Sequence, residues 1–127
     1  MSNKPILLVD FDGVIHSYTS GWKGADIVYD PPVEGAIHFL HEALEDFDVA
    51  IYSARSGQAG GISAMKEYIG YCDAQEFGAD TLTDKLQFPT EKPPAFLTLD
   101  DRCVQFTGTF PDPAELRNFK PWNKQGV

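Results

Sequence analysis

The chain is poor in cysteine, in positive charge and in long apolar runs, and each shortage removes a class of protein. Cys72 and Cys103 are its two cysteines, with no CxxC spacing and no neighbouring histidine cluster, so neither a disulfide framework nor a zinc site is indicated. At the N-terminus Ile6 to Val9 is the unbroken apolar run, too short for a signal-peptide core or a membrane span. A reducing cytoplasm and no membrane partner are the expectation. Lysine and arginine number 10 against 19 aspartates and glutamates, a net charge of −9. Such a chain has little unassisted grip on a phosphate backbone, which disfavours a nucleic-acid end as partner. Any anionic substrate then needs local positive charge or a bound cation. Repeats and low-complexity tracts are also missing.

What is present reads as one domain. The 127 residues, 43% hydrophobic and 23% charged, suffice for a single sizeable core. Pro5 to Val9 is apolar without alternation, as in a central strand covered on both faces. Residues 15–32, with Gly21, Gly24, Pro31 and Pro32 among Tyr18, Trp22 and Tyr29, form a long connection, with a short hairpin expected around Ile27 to Tyr29. From Val33, the spacing of Ile37, Phe39, Leu40, Ala43, Leu44 and Phe47 predicts an amphipathic helix. Val49 to Tyr52 is a second strand ending at Ser53, and after the Ser56–Gly61 loop Ile62, Met65, Tyr68 and Ile69 mark a second helix. Residues 73–95 read as loop with short pieces. Ala95 to Leu99 is a third apolar run, Val104 to Phe106 a further strand, and Pro113 to Phe119 a short closing helix. Alternating strands and helices predict an α/β fold: a Rossmann-like, open and mainly parallel sheet with helices on both faces.

Three of these strands end in polar residues of one kind: Asp10 and Asp12, then Ser53, then Asp100 and Asp101. In an open α/β sheet such ends meet in one crevice. Converging carboxylates repel one another unless a proton or cation intervenes, and hard oxygen ligands in this number suit Mg²⁺. With the ion in place, one carboxylate can attack phosphorus while another hands over and recovers a proton, and Asp10 and Asp12 would divide those tasks. Donors for the equatorial phosphate oxygens would come from Ser53 and Lys92.

Asp-Phe-Asp-Gly-Val at 10 to 14 resembles the first motif of the haloacid dehalogenase-like (HAD) superfamily of phosphohydrolases. Ser53 after Ala50-Ile51-Tyr52 is similar to the second motif, Lys92 to the third, and Asp100-Asp101 after Phe96 to Leu99 to the acidic fourth, in the family's order across roughly residues 5 to 102. The resemblance implies an aspartyl-phosphate on Asp10, general acid/base work by Asp12, and Mg²⁺ held by the Asp10 carboxylate, the Asp12 backbone carbonyl and a fourth-motif acid. Asp101 is favoured as that direct ligand, with Asp100 supporting. No segment is long enough for a separate cap domain, so the chain resembles the capless members. Their open sites suit a large substrate, or a small one enclosed by a neighbouring subunit in a homo-oligomer.

Several candidates have plainer readings as well. Arg55 would meet a substrate phosphate or carboxylate with its planar fork, or form a structural salt bridge. Lys85 competes with Lys92, and His16 lies close enough to the acidic pair for substrate contact. Lys23 and Arg55 are the candidate contacts if the substrate is a nucleic-acid end. A phosphorylated small molecule is the leading substrate class. Phosphotransfer to an acceptor other than water needs the same residues. A receiver-type signalling domain is disfavoured because its phosphorylated aspartate sits on a middle strand, and a non-catalytic phosphate-binding module because no motif is missing.

Overall fold

A computed structural model of the chain describes residues 3–124. Its centre is a three-stranded, all-parallel open sheet of β1 (Ile6–Val9), β2 (Asp48–Ile51) and β3 (Leu97–Leu99), in the order β2-β1-β3. Helix α1 (Ala36–Asp46) connects β1 to β2, and α2 (Gly61–Phe77) follows β2. This is an α/β arrangement. Leu7, Leu8 and Val9 are all buried, so β1 is covered on both faces, as its unbroken apolar run requires. Leu7 and Val9 share a core with Ile37 and Leu40 of α1 and with Met65 and Ile69 of α2. Each such fully buried side chain contributes roughly 1.5–3 kcal/mol of transfer free energy.

The in-register pairs Val9↔Ile51 and Val9↔Leu99 bring the three strand ends level. The residues that follow, Asp10, Tyr52 and Asp100, therefore emerge along one rim. A parallel bridge between Ala50 and Gln87 sets one further residue beside β2, closed by Gln87 N–H to the Val49 carbonyl (2.9 Å) and Ile51 N–H to the Gln87 carbonyl (2.8 Å). This is the short piece expected within residues 73–95.

Several expectations are corrected. Helix α1 begins at Ala36 rather than Val33, because Gly35 takes a left-handed conformation (φ 84°) that breaks the turn before it. Helix α2 runs on to Phe77, well past Ile69. Its second half puts the carboxylate of Asp73 on the core side and Tyr71 outside, which hides the apolar period. Asp73 is fully buried yet satisfied: it accepts from His41 Nε2 (2.7 Å), Thr81 N–H (2.8 Å) and Leu82 N–H (3.1 Å), tying α2 to α1 and to the loop beyond. No hairpin forms at Ile27 to Tyr29, where both named ends are exposed and Ile27 N–H closes a turn on the Gly24 carbonyl. Val104 to Phe106 is coil, and among the described residues no strand pairs with the outer edge of β3. The closing helix α3 is shorter than expected, Pro113–Leu116, capped by the Asp112 side chain on Ala114 N–H.

Strand β3 forms one margin of the sheet, and all three of its residues are exposed. With Phe96 before it, Leu97 and Leu99 leave an apolar surface uncovered. Both cysteines are free thiols, Cys72 buried and Cys103 exposed. No helix among the described residues is long and apolar enough to cross a membrane.

Candidate functional site

At the carboxyl ends of β1 and β3, Asp10, Asp100 and Asp101 each present a carboxylate oxygen within 4.8 Å of the others. The Asp10 N–H donates to the Leu99 carbonyl (3.0 Å), so the last sheet hydrogen bond on this side fixes Asp10 beside the 100–101 pair. Asp100 turns outward, its Oδ1 accepting from Arg102 N–H at 2.8 Å. Asp101 turns inward, and its Oδ1 is buried with no hydrogen-bond partner. Of the two acids, Asp101 is the one with an unused buried oxygen.

Gly13 explains why the inward turn is possible. A Cβ built there would fall on the Asp101 carboxylate, and φ of 86° is in any case a left-handed value. The glycine of the first motif and the second acid of the last therefore occupy adjoining space.

The electrostatics follow from the crowding. Burial, the Asp100 charge and the hydrogen bond shared with Asp101 push the Asp10 carboxyl from its ordinary 3.8 up to about 8, against the opposing Phe11 N–H. Burial raises Asp101 as well, opposed by its hydrogen bond with Asp10. Carboxyls crowded this way form an all-oxygen site whose mutual repulsion a hard divalent cation can relieve. The orphaned Asp101 oxygen and this donor set fit Mg²⁺.

Asp12 is outside that cluster. Its carboxylate faces the other way, accepting from Arg55 Nε (2.9 Å) and Nη2 (3.1 Å) and from His16 Nδ1 (2.8 Å). Burial alone would raise it, but the His16 and Arg55 hydrogen bonds and the Arg55 charge outweigh that and hold it below the usual carboxylate range. His16 is itself buried among Phe11, Tyr18 and Tyr68, and its Nε2 accepts from Asp30 N–H at 3.1 Å. That leaves Nδ1 as the protonated nitrogen facing Asp12.

The other expected residues are spread along the same rim. Ser53, just past β2, is buried. Its Oγ accepts from Arg55 N–H (3.0 Å) and lies 3.5 Å from Met65 Sδ, so the hydroxyl shapes the turn after β2. Arg55, expected at the substrate, is fully buried, with donors on Asp12 and on three backbone carbonyls, so the salt-bridge alternative describes its contacts. Lys92 and Lys85 are both exposed. The parallel bridge at Gln87 separates them: Lys85 precedes it toward the amino ends of the strands, whereas Thr90 lines a cavity of about 380 Å³ with Ser56, Gly57 and Gln58 after β2, and Lys92 follows.

Two residues with no sequence signal also reach the site. Trp122 Nε1 donates to the Gly13 carbonyl and Asn123 Nδ2 to the Ser17 carbonyl (3.2 Å), bringing a 3-10 turn, Trp122–Lys124, against the loop after β1. Asp30 was likewise unmarked: its carboxylate accepts from Ser20 N–H (2.8 Å) and Oγ (2.5 Å), closing the 15–32 connection on itself. No protein-family model matches the chain, and no curated protein or solved structure matches it significantly.

Proposed function

We propose that the chain is a small, capless HAD-like phosphohydrolase with a Rossmann-like sheet, acting on a phosphomonoester through an aspartyl-phosphate at Asp10. The observation that carries this reading is the meeting of Asp10, Asp100 and Asp101 at adjoining strand ends, with one Asp101 oxygen buried and unpaired. A phosphorylated small molecule is the substrate class that best fits a net charge of −9, and a cytoplasmic setting accords with two free thiols.

Asp10, Asp101 and the Asp12 backbone carbonyl would hold Mg²⁺, with Asp100 supporting, and the bound ion would offset the charge of the carboxylates and phosphate oxygens. An Asp10 oxygen attacks phosphorus as the bond to the leaving alcohol breaks. Asp12, which its Arg55 and His16 contacts hold as an anion at rest, takes up a proton from solvent before the step and passes it to the alcohol. Water then attacks phosphorus and gives Asp12 a proton. The acyl-phosphate P–O bond breaks, releasing inorganic phosphate and restoring the Asp10 carboxylate. The donors around Asp12 favour its anion, the form this second step requires. Ser53 and Lys92 are the candidates for orienting the phosphate.

An aryl phosphate assay with Mg²⁺ tests the reading. Asp10→Asn should abolish turnover with the circular dichroism spectrum unchanged. Turnover retained by that variant would overturn the nucleophile assignment, and a wild-type chain inactive on every phosphate ester would overturn the function.

A further inference from the structure

We infer that Arg55 is a positioning residue that locks the 18–30 segment and the Asp12 carboxylate into one unit. A guanidinium has five N–H donors in a rigid plane. Here Nε and Nη2 take both oxygens of Asp12, while Nη1 takes the carbonyls of Gly24 (2.8 Å), Ala25 (2.9 Å) and Ile27 (3.1 Å). The group is 0% exposed. Trp22 lies over it at 4.8 Å and Phe11 at 5.8 Å, so aromatic rings also shield the plane.

The segment it grips has no regular secondary structure, and Tyr18 within it holds a left-handed φ of 63°. Its backbone is shaped by what it binds. One end is closed by Asp30 on Ser20, and Tyr68 of α2 donates to the Asp30 carbonyl at 2.7 Å. Near its middle three carbonyls turn inward on one cation. That cation also sets the second aspartate, because its Nε and Nη2 are two of the three donors on Asp12. The segment is thus held as a wall by the same guanidinium that orients Asp12.

The kinetic part of this inference rests on the phosphohydrolase reading; the structural part does not. Hydrogen exchange should show amides 18–30 losing protection by about tenfold or more in Arg55→Lys, which keeps the charge but not the fork, while α2 stays protected. Asp12→Asn, nearly isosteric, should loosen the same amides and keeps the test decisive if the lysine variant does not fold. Unchanged protection of residues 18–30 in a folded variant would overturn the inference. In the phosphate ester assay Arg55→Lys should lower kcat with KM within about twofold, the pattern of lost transition-state alignment. A raised KM at constant kcat would instead make Arg55 a substrate ligand and overturn it. If the wild type has no phosphatase activity, the function falls alone and the exchange result still decides the lock.

Discussion

The indole N–H of Trp122 donates to the carbonyl of Gly13 at 2.7 Å, joining positions 109 apart in sequence. Gly13 follows the second aspartate directly, so this bond ties the far end of the described chain to the loop that carries the acids. Trp122→Phe keeps one aromatic ring in place of the indole and removes the donor. The expected cost is about 1 kcal/mol, or a melting temperature lower by roughly 3–6 °C. Phe110→Ala, at an 89% exposed position, serves as the control and should leave the melting temperature within about 1 °C.

Gly13 and Gly35 share nearly the same backbone angle, φ 86° and 84°, but differ in what surrounds them. A methyl at Gly35 meets open space, whereas one at Gly13 falls on the Asp101 carboxylate. Both alanine variants should lose about 1–2 kcal/mol for the left-handed residue. Only Gly13→Ala should also lose the stabilisation conferred by Mg²⁺, measured as the rise in melting temperature on adding the ion. An equal Mg²⁺ response in the two variants would mean that Asp101 is not a ligand.

The metal-free chain should become less stable as pH rises from about 4 to about 8. Asp10 ionises near 3.8 when unfolded and near 8 when folded, so the folded chain holds a proton that the unfolded chain releases. Its contribution is therefore complete below pH 4 and is lost as pH passes through 8; Asp101, also raised, acts in the same direction. Asp12 and Asp73 are depressed and have the opposite sign, losing stability only as pH falls below the usual carboxylate range. Urea midpoints at pH 5 and pH 8.5, with chelator and then with Mg²⁺, measure the effect. The midpoint should fall with pH under chelator, recover with Mg²⁺, and change little with pH in Asp10→Asn. A flat wild-type profile under chelator would refute it.

The strand ends were legible because short apolar runs leading into Asp10, Ser53 and Asp100 are a local signal, and parallel pairing brings such ends level. The partners of those residues were not. Arg55 lies two positions after Ser53, which suggested a substrate contact, but its real neighbours are the carbonyls of Gly24, Ala25 and Ile27, and a carbonyl leaves no mark on sequence. Asp73 concealed the second half of α2, since a carboxylate satisfied by His41 and two backbone N–H groups occupies a position the apolar period reserves for a hydrophobe. Leu97 and Leu99 of β3 are as apolar as Leu7 and Leu8 of β1, yet the first two are exposed and the second two buried. Burial depends on which neighbours the chain supplies, and that is not written in the strand itself.

The bare margin of β3 has a consequence for handling the protein. From Pro93 to Leu99 there is no charged side chain, so beyond the Pro93–Pro94 pair no side chain in that stretch deters a second copy from laying its own backbone alongside. What keeps copies apart is the overall charge of −9, a repulsion that reaches about 10 Å at 0.1 M salt and about 3 Å at 1 M. Concentrated salt should thus be the condition under which this chain precipitates first, and a lysine at Thr98 the single change that keeps it dispersed.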